Sequence, residues 1–182
     1  MQEKAIETFC PNNREAWRLW LQEHHRSKQS IWLVYYKKQA NVPTVSYSHA
    51  VDEALCFGWI DSTRKSLGDD RFMQFFCKRK PKSGWSKVNK AKIEQLIEEG
   101  LMTEAGYECI EKAKQNGSWA SLDEIEALTI PGDLEAAFQA NTIAADYFLG
   151  LSKSARKIML HWLAAAKRPE TRQKRLNELV EM

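Results

Sequence analysis

Apolar residues recur along this chain with two different periods, one helical and one of two residues. Between Arg14 and His24, the positions Trp17, Trp20 and Leu21 fall at helical spacing and predict a helix with one apolar edge. The run Ser30 to Lys38 is β-branched and aromatic, which predicts a strand buried on both faces. Asn41-Val42-Pro43 ends it. Ser46 then caps a helix whose apolar positions Tyr47, Ala50, Val51, Ala54 and Leu55 keep the i, i+3, i+4 pattern, and Gly58 stops that helix. Two β-rich runs follow, Trp59 to Lys65 and Arg71 to Cys77, around the polar turn Ser66 to Asp70. They predict an antiparallel hairpin with Trp59, Asp61 and Thr63 on one face and Ile60 and Ser62 on the other.

Pro81 and Gly84 break the pattern before a helix from about Trp85 to Glu99, with Trp85, Val88, Ile93, Leu96 and Ile97 as its apolar stripe. Thr103 is placed as the N-cap of the next helix, with Met102 and Tyr107 as a hydrophobic staple, and Gly117 ends it. The stretch from Asn116 to Gly132 has linker composition. Beyond it only helical periodicity remains, over 133–139, 142–149, 152–166 and 169–180, with Pro169 dividing the last two segments. The pattern predicts an α+β fold: a small antiparallel sheet of about three strands packed by helices, followed by a C-terminal helical module. The expected division is an α+β domain over 1–125 and a helical module over 126–182 packed on it.

Composition narrows the classes. The 182 residues are 43% hydrophobic and 28% charged, which argues against disorder. Seven tryptophans, seven phenylalanines and five tyrosines require an aromatic core or a lined pocket. Twenty-seven Lys and Arg against 24 Asp and Glu leave a formal charge of +3, with no strong push toward nucleic acid. Cys10, Cys56, Cys77 and Cys109 form no Cys-x-x-Cys pair and have no histidine at zinc spacing, so free thiols in a reducing cytosol, with no metal and no cofactor, are expected. The first residues carry no apolar run and no stretch has the ~20 apolar residues of a membrane helix, so neither a signal peptide nor a membrane span is expected and the location is read as cytoplasmic.

The leading candidate site is Trp59, Asp61, Arg79, Ser83, Trp85, Ser86 and Asn89. Two indoles, a carboxylate, a guanidinium and an amide in one cleft would hold a planar or charged small molecule, with Arg79 pairing with an anionic group. The same residues fit a structural role: Asp61 paired with Arg79, Ser83 or Ser86 capping the helix, the indoles filling core. Cys56 as a nucleophile would need His49 as its base, but seven helical residues separate them by about 10 Å, which leaves Cys56 a core residue. The basic runs Lys78 to Lys82 and Lys167 to Arg175 are diluted by Glu94, Glu98, Glu99, Glu170 and Glu178, so nucleic-acid binding is not expected.

Ala54-Leu55-Cys56-Phe57-Gly58-Trp59-Ile60-Asp61-Ser62, the stretch Lys78 to Asn89 and the stretch Leu96 to Met102 resemble the signature of the YdeI/OmpD-associated proteins, also described as bacteriocin-protection proteins. Ala165 to Arg172 resembles that family's C-terminal helical module, and the resemblance extends from about Trp17 to Leu179. One departure is Cys77-Lys78, where a proline or other small residue is expected before the arginine. The resemblance implies a role in stress or bacteriocin protection and no particular reaction. The expectation is therefore a non-enzymatic cytosolic protein that binds an unknown small molecule or protein partner. Two alternatives stay open: an enzyme with Asp61 as acid/base and Arg79 as anion clamp, and a nucleic-acid or protein interaction module using the basic C-terminal helix.

Overall fold

A computed structural model describes residues 6–181, which divide into two compact units, one through Ala120 and one from Ser121. In the first unit a four-stranded sheet has the order β1-β2-β4-β3, with β1 Thr8–Phe9, β2 Ser30–Tyr36, β3 Trp59–Gly68 and β4 Arg71–Lys78. The two-residue β1, parallel to β2, is a fourth strand beyond the three expected; two residues carry no readable period. Both other pairings are antiparallel.

The β3–β4 hairpin closes tighter than the polar turn suggested. Gly68 pairs with Arg71, leaving only Asp69 and Asp70 in the loop, at φ of 43° and 59°. Positive φ at both central positions is what a two-residue hairpin demands, and aspartate tolerates it better than most residues. A register shift between Asp61 and Arg64 interrupts the period of two in β3.

Helices α1 (Arg14–His24), α2 (Tyr47–Cys56), α3 (Lys87–Glu98) and α4 (Glu104–Gln115) share one hydrophobic core with the sheet. On the sheet side this core takes Ile31, Leu33, Tyr35, Trp59 and Phe76. β2 therefore buries alternate residues, and Trp32, Val34 and Tyr36 on its other face are only half-buried; the expectation of a strand buried on both faces is corrected. Val88 and Ile97, expected in the α3 stripe, are exposed, and Ile93 and Leu96 alone are buried on that helix. Tyr107 is likewise exposed rather than stapled against the core.

One buried charge locks α1 to α2. The Glu53 carboxylate, 1% exposed, accepts from Arg14 Nε at 2.5 Å and Arg18 Nη1 at 2.6 Å, and Arg18 Nη2 also donates to the Leu101 carbonyl. Arg14 and Arg18 stand one turn apart on α1, so two guanidiniums face one carboxylate.

The second unit is helical among the described residues: α5 Asp123–Glu126, α6 Gly132–Ala140, α7 Thr142–Gly150, α8 Lys153–Ala164 and α9 Pro169–Val180. Leu134, Phe138, Phe148, Leu160, Leu163, Leu176 and Leu179 form its core. α5 lies inside the stretch read as linker, too short for periodicity to reveal it. Asn141 accepts from the Ala144 amide at the start of α7 and donates through Nδ2 to the Val180 carbonyl, which ties α7 to the end of α9.

Candidate functional site

The end of β4 carries the chain past Lys78 to Arg79, whose amide donates to the Gly58 carbonyl at 2.9 Å, one step beyond the Trp59–Lys78 register pair. Gly58, at φ +70°, joins α2 to β3. A Cβ there would stand 3.0 Å from the Ala105 carbonyl oxygen and 3.1 Å from Cys109 Cβ. Glycine thus does two things at this position: it allows the left-handed turn and lets α4 approach the start of β3.

A cavity of about 440 Å³ opens beside this junction. Phe57, Gly58 and Trp59 form one wall, Lys78, Arg79 and Pro81 a second, and Ala105, Glu108, Cys109 and Lys112 on one face of α4 a third. His25 and Arg26, just past α1, complete it. Asn116 Nδ2 and Ser118 Oγ both donate to the Pro81 carbonyl, which fixes the loop that carries the second wall.

Arg79 is the centre of the arrangement. Its guanidinium lies 3.7 Å over the Trp85 ring, and Nη2 donates to the Gly84 carbonyl at 2.5 Å. Its side-chain Nε and Nη1 are buried without a partner, and so is Trp59 Nε1. Three unpartnered donors on or beside one cavity wall each carry a desolvation cost of about 1–3 kcal/mol. Burial accordingly pulls the Arg79 guanidinium below its ordinary value, partly opposed by Cys109 and Asp61. Lys78 Nζ donates to the Arg26 carbonyl at 2.8 Å. The His25 ring meets the Phe57 ring at a tilt of 53° with centroids 5.1 Å apart, and its Nδ1 donates to the Leu21 carbonyl at 2.8 Å.

The seven residues expected in one cleft separate. Trp59 and Arg79 line the cavity, and Trp85 lies behind Arg79 as its stacking partner. Asp61 forms no ion pair with Arg79. Its carboxylate accepts from Tyr47 Oη at 2.7 Å and Gln74 Nε2 at 3.0 Å, and it acts on Arg79 only at longer range. The reason is geometric: in β3 Asp61 stands opposite Phe76, three residues before Arg79, on the side where α2 supplies Tyr47. Ser83 Oγ donates to the Lys80 carbonyl in the turn, and Ser86 caps α3 by accepting from the Asn89 amide. Sequence reading missed His25, Arg26, Cys109 and Lys112. The spacing Ala105, Glu108, Cys109, Lys112 is a helical i, i+3, i+4, i+7 face, but nothing in it says that it meets Gly58 rather than solvent. Cys56 is buried among apolar residues, and burial pushes its thiol up to about 11, the reverse of an activated nucleophile.

The fold and cleft define a mixed α/β protein with a cationic cavity beside its sheet. Residues 9–109, more than half of the chain, match the family model described as a domain of unknown function (DUF8412), and the protein belongs to that family. Residues 127–182 match the model described as bacteriocin-protection, YdeI or OmpD-associated. The family expected from Ala165 to Arg172 is thus found in the C-terminal part. The stretches 54–62, 78–89 and 96–102 lie within the first match, and the match to the expected family itself covers only residues 127–182. No curated protein and no solved structure matches the chain.

Proposed function

We propose that this is a non-enzymatic binding protein, acting in the cytoplasm in stress or bacteriocin protection, whose cavity beside Arg79 takes a small anionic molecule. One observation carries the reading: a buried guanidinium with two unpartnered donors and a buried unpartnered indole N–H belong to residues lining one cavity, which also gathers Arg26, Lys78 and Lys112. An anion that reaches those donors offsets their desolvation with charge-assisted hydrogen bonds. The competing enzymatic reading needs Asp61 and Arg79 to share a site, and the Asp61 carboxylate is instead engaged by Tyr47 and Gln74 away from the cavity wall.

The test is a titration of the protein with small carboxylates and phosphates, read by tryptophan fluorescence, because Trp59 and Trp85 lie on and behind the wall. Saturable quenching that weakens at least tenfold in Lys112→Glu, an exposed position whose replacement leaves the core intact, is the expected result. Absence of saturable binding in the millimolar range, or binding indifferent to Lys112→Glu, removes the proposal.

A further inference from the structure

We infer that the anionic group this cavity takes is a phosphate carried on a small organic molecule with an apolar body, a refinement that rests on the anion-binding reading above. The charge of the wall supports it. Arg26, Lys78, Arg79 and Lys112 face a single carboxylate of the wall, Glu108. Arg26 is partly matched by Glu104 at 3.4 Å, in an exposed pair. A monocarboxylate leaves most of that charge unmatched, whereas a phosphate monoester carries about −1.5 to −2 at neutral pH and three strong acceptor oxygens.

The donors also suit it. Arg79 keeps Nε and Nη1 without a partner while its Nη2 holds the Gly84 carbonyl, and Trp59 Nε1, on another residue of the lining, is unpartnered as well. The first turn of α4 borders the cavity at Ala105, and its N-cap residue Thr103 caps no amide, since its hydroxyl donates to the Cys56 carbonyl. The positive end of that twelve-residue helix adds to the cationic field. Size and polarity supply the rest of the ligand. About 440 Å³ falls in the range of pockets for small organic molecules, more than an inorganic anion fills, and Phe57, Gly58, Pro81 and Ala105 give the remainder an apolar lining.

The experiment compares two probes with the same ring and different heads, phenyl phosphate and benzoate, by isothermal titration at pH 8 on the full chain. Phenyl phosphate is expected to bind at least tenfold more tightly than benzoate, with inorganic phosphate competing. Lys112→Met and Arg79→Lys are each expected to erode that preference, and Lys112→Met, exposed, keeps the test decisive if the buried variant fails to fold. Equal affinity for the two probes, with both weakened by Lys112→Met, overturns the phosphate inference and leaves the anion cavity standing. Binding of neither probe overturns both readings. A phosphate preference unchanged in Lys112→Met puts the phosphate elsewhere on the molecule and likewise overturns the inference.

Discussion

Cys56 closes α2 beneath Gly58, fully buried, with its carbonyl accepting from both the amide and the hydroxyl of Thr103. Burial, reinforced by the nearby Glu53 carboxylate, raises its thiol to about 11 from 9.0. A folded value above the unfolded one means that the thiol contributes stability below pH 9 and that the contribution is lost as pH rises from 9 toward 11. The loss of stability over that window is therefore expected to be shallower in Cys56→Ala than in the parent, measured by urea unfolding at each pH. In native protein at pH 8, Cys10, which is exposed, is expected to react with a disulfide reagent well before Cys56. Rapid modification of Cys56 without unfolding contradicts this account. At the same scale, identity alone could not reveal which carboxylate is buried. Asp61 sits in a strand beside an indole and looks like a partner for Arg79, yet Tyr47 and Gln74 hold it. Glu53 reads as an ordinary polar helix position, and only the approach of Arg14 and Arg18 from a second helix makes it a core residue.

Periodicity made the elements legible wherever a run was long enough to show it. α1 lies where spacing places it, and α2 and α9 begin where the Ser46 side chain and the first-turn proline place them, because such caps act locally. What spacing leaves open is which helical face meets which neighbour, and for that reason the α4 wall of the cavity and the exposure of Val88 and Ile97 had no signal in the chain. α4 also carries a glycine that reads as a weakness and is a requirement. A Cβ on Gly106 would stand 2.4 Å from the Cys56 carbonyl oxygen and 2.4 Å from Met102 Sδ. Alanine favours a helix interior over glycine by about 1 kcal/mol, so propensity alone predicts that Gly106→Ala stabilises. The steric conflict is with backbone, which cannot swing aside, and displacing α4 costs about 1–3 kcal/mol or more. Gly106→Ala is thus expected to lower the urea midpoint and, by moving Ala105 and Cys109, to weaken anion binding. A variant as stable as the parent contradicts that close packing.

Across the whole molecule the formal charge is only +3, and its effect depends on where the cations are already spent. Along α9, Arg172, Lys174 and Arg175 are each already engaged. Arg172 makes two contacts with Asp133, at 2.5 and 2.9 Å, and its hydrogen bond holds the Asp133 carboxyl below the usual carboxylate range. Arg175 lies 4.9 Å over the Trp162 ring and donates to the Trp162 carbonyl, and Lys174 approaches Glu178 within 3.8 Å one turn on. Leu176 and Leu179 are buried in the helical core, so the basic strip of α9 is an anchor of its own unit. Each engaged guanidinium would have to give up a carboxylate or a carbonyl before it could neutralise a phosphate of nucleic acid, and the counterion release that drives such binding would be correspondingly small. No complex with single- or double-stranded DNA or RNA is therefore expected at physiological salt, measured by fluorescence anisotropy with labelled oligonucleotides. Arg172→Ala is instead expected to lower stability, and the decrement should shrink as pH falls through the depressed Asp133 value, because the pair contributes only while the carboxylate is ionised. A salt-sensitive, submicromolar complex that disappears in Arg172→Ala with Arg175→Ala would show instead that the strip is a recognition surface.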